Sequence, residues 1–265
     1  MPKSAKRIST PQAIMSALAS LPDPHRAGLP AKDSVVSVTT PAAGSQYTVI
    51  HTNEVDAYEK AAKGPAFAAA AAAALPTGDD YTGTARKAAK LSISAAKTEN
   101  FKDIKDLIKS LTADSKMIAH KPPIGTGATS NRVGEEQRNV HVSAFMYAAS
   151  READNDFHLI IGRDPKVTPE MYMTMELSGL PPASSPSFKP LKAARDAFKN
   201  FFKNHVGSQL PGLTYDFYQP PIPVQIDGSL FFDMTHAQGS HPGPPSLKSR
   251  MPVIWEVHPI TVFKP

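Results

Sequence analysis

The chain contains no cysteine, a single tryptophan and no apolar stretch long enough to cross a bilayer. Each absence removes a class of protein. Without cysteine there is no disulfide framework, no thiolate metal site and no cysteine nucleophile. Without about 20 consecutive apolar residues there is no transmembrane helix to propose. Charge of one sign is scarce too. The 29 basic and 24 acidic side chains leave a formal +5 over 265 residues. That excess tilts the expected partners toward acidic ones without singling out nucleic acid.

What is plentiful is punctuation, with 26 prolines and 15 glycines. They divide the chain into four stretches. Residues 1–32 carry Lys3, Lys6 and Arg7 with Pro11, Pro22, Pro24 and Pro30, and no sustained period, so a flexible basic tail is expected. The run Ala13 to Ala19 behind that basic flank has the outline of an export signal. It is short and broken by polar residues, and the expected compartment is the cytoplasm.

Residues 33–120 read as an α+β region. Val35–Thr40 and Tyr47–His51 are β-branched and form a strand pair. The alanine tract Ala68–Ala74, fenced by Pro65 and Pro76, reads as a small helix, and Thr84–Ala96 as another. Phe101, Ile104, Ile108 and Leu111 share one helical face. Residues 121–138 open with K-P-P-I-G-T-G and form a linker or long loop.

In residues 139–265 strands are expected at Val140–Ala149, Phe157–Gly162, Met171–Ser178, Val224–Phe232 and Val253–Phe263. A helix over Leu191–Asn204 separates the third from the fourth. The turn between the first two contains Asp154-Asn155-Asp156, residues that tolerate left-handed backbone. The predicted fold class is mainly β with α, an α+β protein with an N-terminal strand pair plus helices.

The order strand, strand, strand, helix, strand, strand resembles that of the OB-fold, a five-stranded Greek-key barrel. The D-N-D-F-H-L turn and the W-E-V-H-P strand are also similar to segments of uncharacterised bacterial proteins. The OB-fold resemblance implies that side chains from the second, fourth and fifth strands approach one another. Asp156, His158, Asp233, His236, Glu256 and His258 then become candidates for acid–base chemistry, with His158, His236 and His258 as candidate ligands for a divalent metal. No H-E-x-x-H or comparable tight spacing accompanies them. Nucleases of the staphylococcal type share the barrel, and Asp154, Asp156, Arg163, Glu176 and Arg195 could serve such a scheme, but D-N-D-F stands where those enzymes have D-G-D-T.

Two functions follow. The first is a non-enzymatic OB-like binding module for a polyanion, a glycan or a protein, using Tyr147, Arg151, Phe157, Arg163 and Tyr172. The alternative is a metal-dependent hydrolase, nuclease- or phosphoesterase-like. They differ in geometry. The hydrolase needs the histidines and carboxylates converging on one concave, partly open site. The module needs an exposed aromatic and basic face.

Overall fold

The computed structural model describes residues 6–20, 28–41, 44–56, 75–207, 209–237 and 241–265. The alanine tract lies outside them. Among the described residues nine strands hydrogen-bond into one sheet: β1 (Lys6–Ile8), β2 (Val35–Thr40), β3 (Thr48–Thr52), β4 (Thr98–Phe101), β5 (Asn139–Arg151), β6 (Phe157–Gly162), β7 (Tyr172–Leu177), β8 (Asp216–Phe232) and β9 (Trp255–Lys264). Their order is β1-β2-β3-β8-β9-β7-β6-β5-β4, and β5 pairs with β8 as well. That extra pairing closes β5, β6, β7, β9 and β8 into a five-strand ring. Only the β7–β9 contact within the ring is parallel. The protein is thus mixed α/β around a large sheet.

All five ring strands alternate, and one set of faces meets in the main core. Val140, Val142, Leu159, Ile161, Met173, Met175, Ile226, Leu230, Trp255 and Val257 belong to it. Helix α5 (Phe188–Phe201) adds Ala194 and Phe198, the Phe198 ring packing at 4.9 Å from Phe157 and 5.4 Å from Phe263. Among the described residues four helices precede it: α1 (Pro11–Ala19), α2 (Lys87–Lys90), α3 (Ile104–Lys109), capped by the Asp103 carboxylate, and α4 (Asp114–Ile118).

Three expectations need correction. The expected basic tail contains β1 and α1, because Ile14 of α1 buries its side chain with Val38, Ile50 and Tyr147 in a second apolar cluster. Thr84–Ala96 is helical only over Lys87–Lys90. The fourth ring strand begins at Asp216, not Val224. Its prolines Pro220, Pro221 and Pro223 read as a break, yet this is where β8 leaves β3 and goes on to pair with β5 and then β9.

Residues 121–138 are a long irregular segment that packs tightly. Ile124 joins the main core. Arg132 is buried, its guanidinium donating to the carbonyls of Ala89, Ser92, Leu230 and His258.

Candidate functional site: a buried histidine–carboxylate cluster

Because Leu159, Met175 and Val257 face the main core, the intervening residues of β6, β7 and β9 face outward. These are His158, Thr174, Glu176, Glu256 and His258, and all are buried. The register sets His158 opposite Glu176 and Thr174 opposite Glu256. Polar side chains on an outer face are buried here because a second layer covers them.

The cover is the segment from Asp79 to Lys90. Leu180 exchanges backbone hydrogen bonds with it, Leu180 N–H to Asp79 O at 2.7 Å and Tyr81 N–H to Leu180 O at 3.0 Å. Gly179 permits this approach, since a Cβ there would stand 2.6 Å from Tyr81 Cα. Arg86 then takes a left-handed φ of 46°, and α2 delivers Lys90 into the cluster.

The turn between β5 and β6 supplies the remaining acids. Asn155 has φ of 80°, the left-handed conformation expected of this turn. Its side chain is fully buried, accepting from Arg151 and Arg195 and donating to Asp80 O at 2.7 Å. Asp154 and Asp156 are therefore held rigidly on either side of it. One Asp156 oxygen accepts from the Gly179 N–H at 2.7 Å.

The distances define two trios that share Glu176. In one, His158 Nδ1 lies 2.7 Å from Glu152 Oε1 and 3.8 Å from Glu176 Oε1, while its Nε2 meets Thr174 Oγ1 at 3.1 Å. In the other, His258 Nδ1 lies 2.7 Å from Glu176 Oε2 and its Nε2 3.4 Å from Asp156 Oδ2. Glu256 Oε2 is 3.6 Å from the same Nδ1. In each trio the candidate ligand atoms lie within 4.8 Å of one another.

The second trio is chemically unfinished. Asp156 Oδ2, Glu176 Oε2, both oxygens of Glu256 and both nitrogens of His258 are buried without a hydrogen-bond partner. His258 Nδ1 and Glu176 Oε2 meet as an ion-pair contact at 2.7 Å. Leaving such atoms unpaired costs about 1–3 kcal/mol each, more when charged. Lys90 Nζ is the nearest cation, but at 3.7 Å from Asp156 and 3.9 Å from Glu176 it is beyond hydrogen-bond reach of both.

Electrostatics reflects the crowding. Burial, then the charge of Asp154, pushes Asp156 well above the usual carboxyl range, against the pull of Lys90. Burial and the Glu176 charge do the same to Glu256. Burial, with the Glu176 charge, raises Glu152 to about 8. Glu176 moves the other way: burial opposes ionisation, but His258 and Lys90 outweigh it. Burial lowers His258, the Glu176 charge notwithstanding. In His158 the effect of burial is overcome by the Glu152 carboxylate, and the imidazole rises to about 9. Carboxylates that must hold protons to stay buried are the groups a divalent cation would ionise. The donor set of imidazole and carboxylate fits zinc, iron or manganese.

A cavity of about 420 Å³ opens onto this cluster, lined by Lys90, Glu152, Asp154, Glu176, Asp233 and His236 among others. Of the six acid–base candidates, Asp156, His158, Glu256 and His258 are brought together. Asp233 and His236 stand on the cavity wall outside both trios, His236 Nε2 3.7 Å from Asp233 Oδ2. The candidate binding residues lie elsewhere. Tyr147, Phe157 and Tyr172 are each 1 % exposed. Tyr147 and Tyr172 do face outward, but the second apolar cluster, with Ile14, Val38, Leu247 and Met251, covers them. Arg151 is engaged with Asn155, and Arg163 is paired with Asp103 at 2.8 Å. An open face built from these five is not formed.

Sequence reasoning passed over Glu152 and Lys90 and gave Glu176 only a place in the nuclease scheme. Glu176 had a signal: it is the one charge in the apolar run M-Y-M-T-M-E-L. Lys90 had none, being distant in sequence from the carboxylates it meets. No family model matches the chain, and no curated protein or solved structure matches it either.

Proposed function

We propose that the five-strand ring is an OB-like barrel and that the protein is a divalent-cation-dependent hydrolase acting on small phosphoesters. The observation that carries this reading is the set of buried, unpartnered ligand atoms on Asp156, Glu176, Glu256 and His258. Support for the barrel comes from the pairings. Counted from β5, the ring runs first, second, third, fifth, fourth and back to first, with the helix between third and fourth. In OB barrels the face of the second and third strands is the usual binding face. Here that face carries His158 and Glu176.

The cation would be held by Asp156, Glu176 and His258 with Glu256 beside them, and would supply Lewis-acid polarisation of a phosphoryl oxygen. The chain contributes the rest. The acidic wall repels a phosphate unless a cation is bound, which couples substrate entry to metal. Hydrolysis consumes one water: its oxygen bonds to phosphorus as the bond to the alcohol oxygen breaks. Asp154, on the cavity wall, takes one water proton, and the departing alkoxide is protonated from solvent. Among the described residues no Phe, Tyr or Trp lines the cavity, which favours a small polar ester over a stacked nucleic-acid strand.

The test is metal content by elemental mass spectrometry after dialysis against Mn²⁺. It is paired with hydrolysis of p-nitrophenyl phosphate and bis-p-nitrophenyl phosphate, with and without EDTA. Bound metal and an EDTA-sensitive rate, both lost in a folded His258→Ala variant, are expected. A protein that takes up no metal overturns the reading. Metal without turnover of either ester overturns the hydrolase and leaves a metal-binding module.

A further inference from the structure

We infer that the site holds two cations bridged by the Glu176 carboxylate. This inference rests on the cation-dependent reading above. The geometry points to it because the two oxygens of Glu176 address different histidines. Oε1 faces His158 Nδ1 at 3.8 Å, and Oε2 faces His258 Nδ1 at 2.7 Å. Each histidine brings a second carboxylate, Glu152 on one side and Asp156 on the other. A carboxylate shared between two such sets is how paired metals about 3.5–4 Å apart are held in two-metal hydrolytic sites.

The two positions differ in finish. Around the inner one the unpartnered atoms accumulate: Asp156 Oδ2, Glu176 Oε2 and His258, with Glu256 behind. At the outer one His158 is already oriented, its Nε2 fixed by Thr174 so that Nδ1 is turned toward the carboxylates. Such support of the remote ring nitrogen is the usual outer partner of a metal-bound histidine. Glu152 closes this position from the cavity side. Its side chain is 20 % exposed, so it can swing outward from its 2.7 Å contact to admit an ion.

Five carboxylates, Glu152, Asp154, Asp156, Glu176 and Glu256, are linked to the cluster by contacts under 4 Å, and Lys90 is the one ammonium among them. Lys90 itself cannot stand in for either ion, because it makes no hydrogen bond to Glu176 or Asp156.

The experiment uses the full chain loaded with Mn²⁺ alone, measured by elemental mass spectrometry and by electron paramagnetic resonance. The wild type should bind two ions per chain and give the spectrum of an exchange-coupled pair. Glu152→Gln, a change at the partly exposed ligand, should keep one ion and show an isolated-ion spectrum, with an unchanged circular dichroism spectrum. Asp156→Asn should lose the inner ion at least tenfold in affinity. A wild type binding one uncoupled ion would overturn the bridged pair and leave the single-cation reading intact. Two ions retained in Glu152→Gln would overturn it as well. No bound ion in the wild type would overturn both.

Discussion

Two groups of charged side chains are buried a few residues apart in this protein, and they are built in opposite ways. In the first, Arg86 forms a two-pronged pair with Glu136, at 2.7 and 2.8 Å, and donates to Phe232 O and Asn131 O. Glu136 accepts further from the N–H groups of Val133 and Phe232. With neighbouring Arg132, this group lacks partners only at the two guanidinium Nε atoms. In the second, around Glu176, six ligand-type atoms lack hydrogen-bond partners and meet one another and Lys90 only as ion-pair contacts. A cluster that only has to fold satisfies itself, since a buried charge is tolerable when paired and fully hydrogen-bonded. A cluster that leaves acceptors and imidazole nitrogens facing one another is complete only with something added.

The largest effect should come from breaking the satisfied group. Glu136→Ala leaves Arg86 charged, buried and without its partner, and should cost about 3–5 kcal/mol in urea unfolding. If the cost is below about 1 kcal/mol, the contrast between the two clusters is lost.

Completing the unfinished group should stabilise the protein. Mn²⁺ at about 100 times its Kd should add about 2.7 kcal/mol to unfolding, and EDTA should reverse it. Nickel, calcium or magnesium giving the same increment as manganese would indicate unselective surface binding instead. Glu256→Met should do two different things. In metal-free protein it removes an unpartnered buried carboxylate and should be neutral or stabilising by about 1 kcal/mol. In metal-loaded protein it should shrink the Mn²⁺ increment. Loss of several kcal/mol in the metal-free state would mean Glu256 is paired after all, and the two clusters are alike.

Much of the ring was legible because strands announce themselves by alternation. Phe157–Gly162 was located to the residue, and the strands containing Met173 and Val257 to within a few. Proline misled at β8, where Pro220, Pro221 and Pro223 sit inside a strand at the point where its partner changes. The N-terminal layer was invisible as a layer. Nothing in Lys6–Ile8 states that it adds an edge strand beside β2, and nothing in Ile14 that it packs with Tyr147 of a distant strand. The site was half legible for the same reason. Strand periodicity puts Glu256 and His258 on one face, and His158 was grouped with them only through the OB-fold resemblance; Lys90 reaches them only through the cover formed by Asp79–Lys90, and Glu152 only through the left-handed turn at Asn155.

That turn is fixed by a third charged group, and it offers the smallest and most selective test. Asp79 accepts from Arg195 at 2.9 Å and from Lys199 at 2.8 Å, and Arg195 reaches on to Asn155. Burial works against the Asp79 carboxylate, but the hydrogen bonds from Lys199 and Arg195 outweigh it, so its pKa lies below the ordinary 3.8. A carboxyl depressed in the folded state contributes stability that is complete above its unfolded value and is lost as pH falls through its folded one. Acidification from about pH 5 to below 3.8 should therefore destabilise the wild type more than Asp79→Asn. Because Asp79 is partly exposed, the difference should be about 1 kcal/mol or less. The more telling readout is Mn²⁺ affinity of Asp79→Asn at neutral pH. If Asp79 acts through Arg195 and Asn155 to hold Asp154 and Asp156 in place, affinity falls severalfold with little change in fold. If affinity is unchanged, the turn holds itself, and the rigidity of the site comes from the sheet alone.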